Sequence, residues 1–151
     1  MTPTQVACTT IDNAQDLTTL DSRSMEQRDL IINQAKKAAK QGYLSAKQQA
    51  KFTAAAKAGY VVAWSAVWTI PSVVKECESS PTCVQVSLEG DINTYIDKSE
   101  DLKDLADSMA VVIKKKGGKK QAEYVVRHAK ALHEQNILTT KKLPKTESIC
   151  S

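Results

Sequence analysis

Four cysteines constrain this chain more than any other feature: Cys8, Cys77, Cys83 and Cys150. Their spacing matches no zinc signature, because neither a Cys-x-x-Cys pair nor a nearby histidine pair accompanies them. An even set with one close pair and one distant pair reads as two disulfides. Cys77 and Cys83 bracket Glu-Ser-Ser-Pro-Thr, a turn-forming stretch that predicts a bridge between them. Cys8 and Cys150 are then left to tie the termini. That second bridge closes a loop of nearly the whole chain, worth roughly 4–5 kcal/mol on the loop-entropy account. Such bridges form in oxidising compartments, so the expected location is periplasmic or secreted. The N-terminal Met-Thr-Pro-Thr-Gln-Val-Ala-Cys has neither the basic nor the apolar segment of a signal peptide. The expectation is a mature form whose leader has been removed and replaced by Met1.

Between the cysteines the pattern is helical. Ser24-Met25-Glu26-Gln27 reads as a capping box, and Leu30, Ile31, Gln34, Ala35 and Ala38 recur at helical spacing until Gly42. Residues 12–21 suggest a separate short helix. A second capping box, Ser45-Ala46-Lys47-Gln48, opens a helix that runs to Ile70, where Pro71 breaks it. The short connection makes these two helices an antiparallel hairpin. Val84, Val86 and Leu88 alternate like a strand, but a lone strand has no partner, so the segment reads as extended chain or early helix. Ile92, Tyr95 and Ile96 lie on one helical face. Leu102, Leu105, Ala106, Met109, Val112 and Ile113 form the cleanest stripe, with acids at its start and Lys114–Lys116 at its end, as the helix dipole favours. Gly117-Gly118 ends that segment. A last helix spans about 119–136. The fold class expected is therefore all-α: a single-domain bundle of four to five helices over 1–151, stapled by Cys77–Cys83 and Cys8–Cys150. Irregular arms are expected at about 1–11 and 137–151.

The run from Ala58 to Val74 contains no charge. It is at the short edge for a membrane span, Pro71 and polar residues interrupt it, and Trp64 and Trp68 sit mid-segment rather than at interfaces. It reads as a buried central helix, with no stable membrane span. Gly59 and the alanines before it predict close packing on a neighbouring helix.

Charge is segregated along the chain. From Leu30 through Lys75 there is no acid but seven lysines, at 36, 37, 40, 47, 51, 57 and 75. From Glu76 through Asp107 there are nine acids against Lys98 and Lys103. From Lys114 through Lys145 there are ten basic residues against Glu123 and Glu134. Asp97, Asp101 and Asp104 share one helical face, and so do Glu100, Asp104 and Asp107. Lys114, Lys115, Lys116, Lys119 and Lys120 surround the two glycines. The plain reading of such runs is solvated faces that partly cancel within the fold. The functional reading is a pair of candidate partner-binding surfaces, an acidic ridge and a lysine turn.

The inventory for catalysis is thin. His128 and His133 are about 140° apart around a helix, so they share no face. His133 lies on the apolar stripe and reads as a packed histidine, His128 as exposed. Bridged cysteines supply no thiolate nucleophile. The segment around Asp97–Leu102 lacks the glycine of a calcium loop. No cofactor and no metal site is expected. Few arginines and few aromatics argue against nucleic acid as a partner. The expected function is an exported, non-catalytic binding protein of the inhibitor or toxin-immunity kind, acting on another protein through charged helix surfaces. Two alternatives compete with it. One is a small cell-envelope hydrolase with its acid among Glu76, Glu78 and Glu89. The other is an accessory component of an envelope assembly, with Trp64 or Trp68 exposed.

Overall fold

The computed structural model describes residues 6–151. In chain order the elements are β1 (Cys8–Asp12), α1 (Ala14–Lys40), α2 (Ala46–Thr69), β2 (Val73–Cys77), β3 (Cys83–Ser87), α3 (Glu89–Lys115), α4 (Lys119–Thr140) and β4 (Thr146–Cys150). The all-α bundle with two disulfides is present, with four helices among the described residues. Two short antiparallel ribbons, β1–β2 and β3–β4, accompany it.

Ser45 caps α2 as its sequence predicts. Its hydroxyl accepts from the Gln48 amide at 3.1 Å, and the Gln48 side chain accepts from the Ser45 amide at 2.8 Å. Gly42 and Gly117 take positive φ at the two tight turns, +80° and +102°, where a side chain is strained. Both connections make antiparallel hairpins, α1–α2 and α3–α4. The hairpins pack through α2 against α3 and α1 against α4. Gly59 lets α2 approach α3 closely: a Cβ there would stand 2.9 Å from Leu102 Cδ2.

The first predicted capping box, Ser24-Met25-Glu26-Gln27, is not a helix start. Ser24 is buried inside α1, which absorbs the short helix expected over 12–21 and begins at Ala14. The Ser24 hydroxyl donates to the Leu20 carbonyl at 3.0 Å and lies 2.9 Å from the Tyr95 hydroxyl. Gln27, the other end of the supposed box, donates to Ser99. Both side chains serve contacts between helices rather than an N-terminus. The true entry is at Asp12 and Asn13. Asp12 Oδ1 accepts from the Ala14 amide, while Asn13 donates from its backbone to Ser72 and from its side chain to Pro71. In the same way α3 is continuous through Asp97–Glu100, because Ser99 faces the interior and nothing there breaks the helix.

The core has two apolar clusters. One contains Ile31, Ala35, Leu102, Met109, Ile113 and Val125; the other Leu17, Leu20, Val67, Val74, Tyr95 and Leu143. Along α1, α3 and α4, a buried polar layer intervenes in sequence between the two. Asn136 Nδ2 donates to Gln27 Oε1 at 3.1 Å and to Ser99 Oγ at 3.0 Å, and Ser99 Oγ lies 2.8 Å from His133 Nδ1. Pairing of most of its polar groups makes such a layer tolerable in a core, although Asn136 Oδ1 has no partner among the described residues.

The disulfide pairing differs from expectation. Cys8 bonds Cys77 and Cys83 bonds Cys150, rather than Cys77–Cys83 and Cys8–Cys150. The reason is strand pairing. Cys8 is directly opposite Cys77 in β1–β2, and Cys83 is opposite Cys150 in β3–β4. The Glu78–Thr82 turn joins two ribbons and closes no hairpin of its own. The arms expected at 1–11 and 137–151 are likewise not irregular in the described residues. Residues 8–12 form β1, α4 continues to Thr140, and residues 146–150 form β4. Residues 1–5 of the first arm, Met1 included, lie outside the described residues. Val84 and Val86, read as unpartnered, find their partner in β4. The ribbons touch where Ser148 Oγ accepts from the Cys77 amide at 3.0 Å and from Gln85 Nε2 at 2.7 Å.

Candidate partner-binding surface

The lysine turn predicted at 114–120 is one part of a larger surface. In an up-down bundle of two hairpins, the α1–α2 and α3–α4 turns share one end. Here they touch. A Cβ on Gly118 would stand 2.8 Å from Tyr43 Cδ2, and Gln121 Nε2 donates to the Gln34 carbonyl at 3.0 Å. Lys36, Lys37 and Lys40 from the end of α1, and Lys47 and Lys51 from the start of α2, therefore join Lys114, Lys115, Lys116, Lys119 and Lys120. All ten are exposed. No acid lies between Asp29 and Glu76 or between Asp107 and Glu123. None of the ten forms an ion pair among the described residues. The sequence displayed both lysine groups but not their meeting. The clue was the pair of tight glycine turns, which places both groups at one pole.

The acidic ridge is more compensated. Asp97, Glu100, Asp101 and Asp104 are exposed on α3, and Asp107 is half-buried. Lys98 reaches Asp101 at 3.3 Å, and Lys103 reaches Asp107 at 3.1 Å and Asp104 at 3.8 Å. The Lys103 ammonium is pushed up chiefly by its hydrogen bond to Asp107. The ridge thus answers part of its own charge along the helix.

The run Ala58–Val74 is not buried on all sides. Ala63, Ala66, Val67 and Ile70 face the core, but Val61, Trp64 and Trp68 form an exposed stripe, the two tryptophans being 47% and 45% accessible. No helix among the described residues is long and apolar enough to cross a membrane. The remaining candidates are dispersed. Glu76 lies in β2 next to its last residue, Glu78 accepts from the Ala7 amide, and Glu89 opens α3; all three are exposed. His128 is exposed and lies against Tyr124, ring centroids 4.1 Å apart. His133 is buried, and burial lowers its pKa from the ordinary histidine value.

Between the two turns lies a hollow of about 750 Å³. It is lined by Lys37, Lys119 and Lys120, by Tyr43 and Tyr124, by Gln34, Gln41 and Gln121, and by the two glycines. No acid lines it. No protein-family model, curated protein or solved structure matches this chain. The chemistry of the surface itself therefore carries the functional reading.

Proposed function

We propose that this is a non-catalytic binding protein of the inhibitor or toxin-immunity kind, working in the periplasm or as a secreted protein. Its lysine pole docks on an acidic surface of a partner protein. The observation that carries this reading is the convergence of ten exposed, unpaired lysines from both hairpins at one end of the bundle. A one-sign surface of that extent repels itself in the free protein and attracts an acidic partner over long range. The acidic ridge is the weaker candidate, since Lys98 and Lys103 already compensate it. Two disulfides support an oxidising compartment.

The test is affinity capture from a cell-envelope extract at low and high salt. Lys37, Lys40, Lys115 and Lys119 are reversed to Glu in one variant, Asp101 and Asp104 to Lys in another. The expected result is an acidic partner whose capture weakens with salt, is lost with the pole variant and survives in the ridge variant. Loss in the ridge variant alone would move the docking surface to α3 and overturn the reading.

The exposed stripe of Val61, Trp64 and Trp68 favours a second reading, an assembly component. Sedimentation of the protein at rising concentration tests it. Self-association abolished by Trp64→Glu with Trp68→Glu supports that reading, and a strict monomer at all concentrations removes it.

A further inference from the structure

We infer that the hollow between the two hairpin turns binds a small phosphorylated ligand that also carries a ring. This goes beyond the protein partner proposed above and does not depend on it. Size comes first: about 750 Å³ lies within the range of small-molecule sites. Charge comes second. Lys37, Lys119 and Lys120 are the only charged residues in the lining, and no ion pair engages them among the described residues.

The backbone adds to this field. Helix α4 starts at Lys119 with Gly118 as its cap residue and no side-chain cap. Its first helical hydrogen bond runs from the Ala122 amide to the Gly118 carbonyl, at 2.9 Å. The amides of Lys119, Lys120 and Gln121 precede that bond and have no carbonyl of the helix to donate to. Free amides at the positive end of a helix favour a phosphate.

The third observation is Gln121, nine-tenths buried in the wall of the hollow. Its Nε2 is committed to two oxygens of Gln34, each at 3.0 Å, which fixes the amide orientation. Its Oε1 is buried and has no partner among the described residues. A buried carbonyl left without a donor is costly, and a ligand hydroxyl or amino group that parts the wall to reach it supplies what it lacks. The walls are the fourth. Tyr43 packs so closely on Gly118 that no Cβ fits there, so this wall is preformed. Tyr124, 40% accessible, also lines the hollow and offers apolar surface to a ring. Phosphate, donor and ring together describe a nucleotide-like compound, with adenosine monophosphate the simplest probe.

Calorimetry on the full chain tests the inference with adenosine monophosphate, adenosine and inorganic phosphate. Saturable binding of the monophosphate is expected, with each half-molecule about tenfold weaker or worse. Lys119→Glu with Lys120→Glu should abolish it. Lys115→Glu with Lys116→Glu changes net charge equally but lies outside the lining, and should leave it within about threefold. Tyr124→Ala should weaken the monophosphate and leave inorganic phosphate unaffected. Circular dichroism checks that each variant is folded. No saturation with the monophosphate, or equal losses in the two lysine pairs, overturns the site and leaves only diffuse attraction. The outer pair also separates the two readings, because it should weaken the acidic partner while sparing the nucleotide.

Discussion

Ser99 Oγ lies 2.8 Å from His133 Nδ1, at the point where α3 meets α4 inside the polar layer of the bundle. Ser99 also accepts from Gln27 and Asn136, so one hydroxyl links three helices. Burial of the imidazole disfavours its cationic form, and the shift is downward.

The sign of the pH effect follows. The unfolded chain takes up a proton at His133 near its ordinary value, and the folded protein resists until lower pH. Stability from this residue is thus whole above about pH 6.5 and falls as pH drops below it. Glu100, Asp104 and Glu134 nearby oppose the shift and Lys103 supports it. Urea midpoints at pH 7.5 and 5.5 should show the decline in the native protein. The His133→Gln variant should lose this part of it; an unchanged pH slope would assign the effect elsewhere.

The bridges close sequence separations of 69 and 67 residues. Loop entropy gives each about 4 kcal/mol. Replacing Cys8 and Cys77 by Ser should therefore destabilise about as much as replacing Cys83 and Cys150, read by denaturant unfolding. Non-reducing peptide mapping should recover Cys8 joined to Cys77. A peptide in which Cys77 is joined to Cys83 would contradict the pairing.

Gly118 and Gly90 should respond oppositely to alanine. A Cβ at Gly118 meets Ile113 Cγ2 at 2.6 Å and Tyr43 Cδ2 at 2.8 Å, in a buried turn. Gly118→Ala should cost roughly 1–3 kcal/mol through overpacking. At Gly90, in the first turn of α3, an added Cβ meets nothing within 4 Å. There alanine should stabilise by about 0.5 kcal/mol through its helix propensity. Thermal melts of the two variants check the contrast.

Aspartate discriminates the two serine motifs. At Ser45 it can still cap α2, so Ser45→Asp should keep stability within about 0.5 kcal/mol, while Ser45→Ala should cost about 1 kcal/mol. At Ser24 the same change buries a carboxylate against Leu20 and Tyr95, costing roughly 3 kcal/mol or more. Equal effects of aspartate at both sites would contradict the burial of Ser24.

These serines show why sequence reading succeeded at one place and failed at another. Ser45-x-x-Gln48 follows Gly42 and precedes an uninterrupted helix, so its local chemistry and its surroundings agree. Ser24-x-x-Gln27 carries the same letters, but the polar groups of α3 and α4 claim them, and those partners are 71 or more residues away. The exposed face of α2 was illegible for a related reason. Val61, Trp64 and Trp68 are as apolar as the buried Val67 and Ile70, and only the placement of the other helices decides which side is covered.

The sequence by itself determined the apolar faces of α1, α3 and α4, the two tight turns at Gly42 and Gly117, and the segregation of lysines from acids. All of these follow from local backbone preference and from periodicity within one segment. Tertiary structure alone decided that both lysine groups share a pole, and which cysteines meet. Sequence spacing made Cys77 and Cys83 look like partners across a turn. Antiparallel pairing of the terminal strands instead set each of them opposite a cysteine nearly seventy residues away, because hydrogen-bonded register, and not separation along the chain, brings sulfurs together.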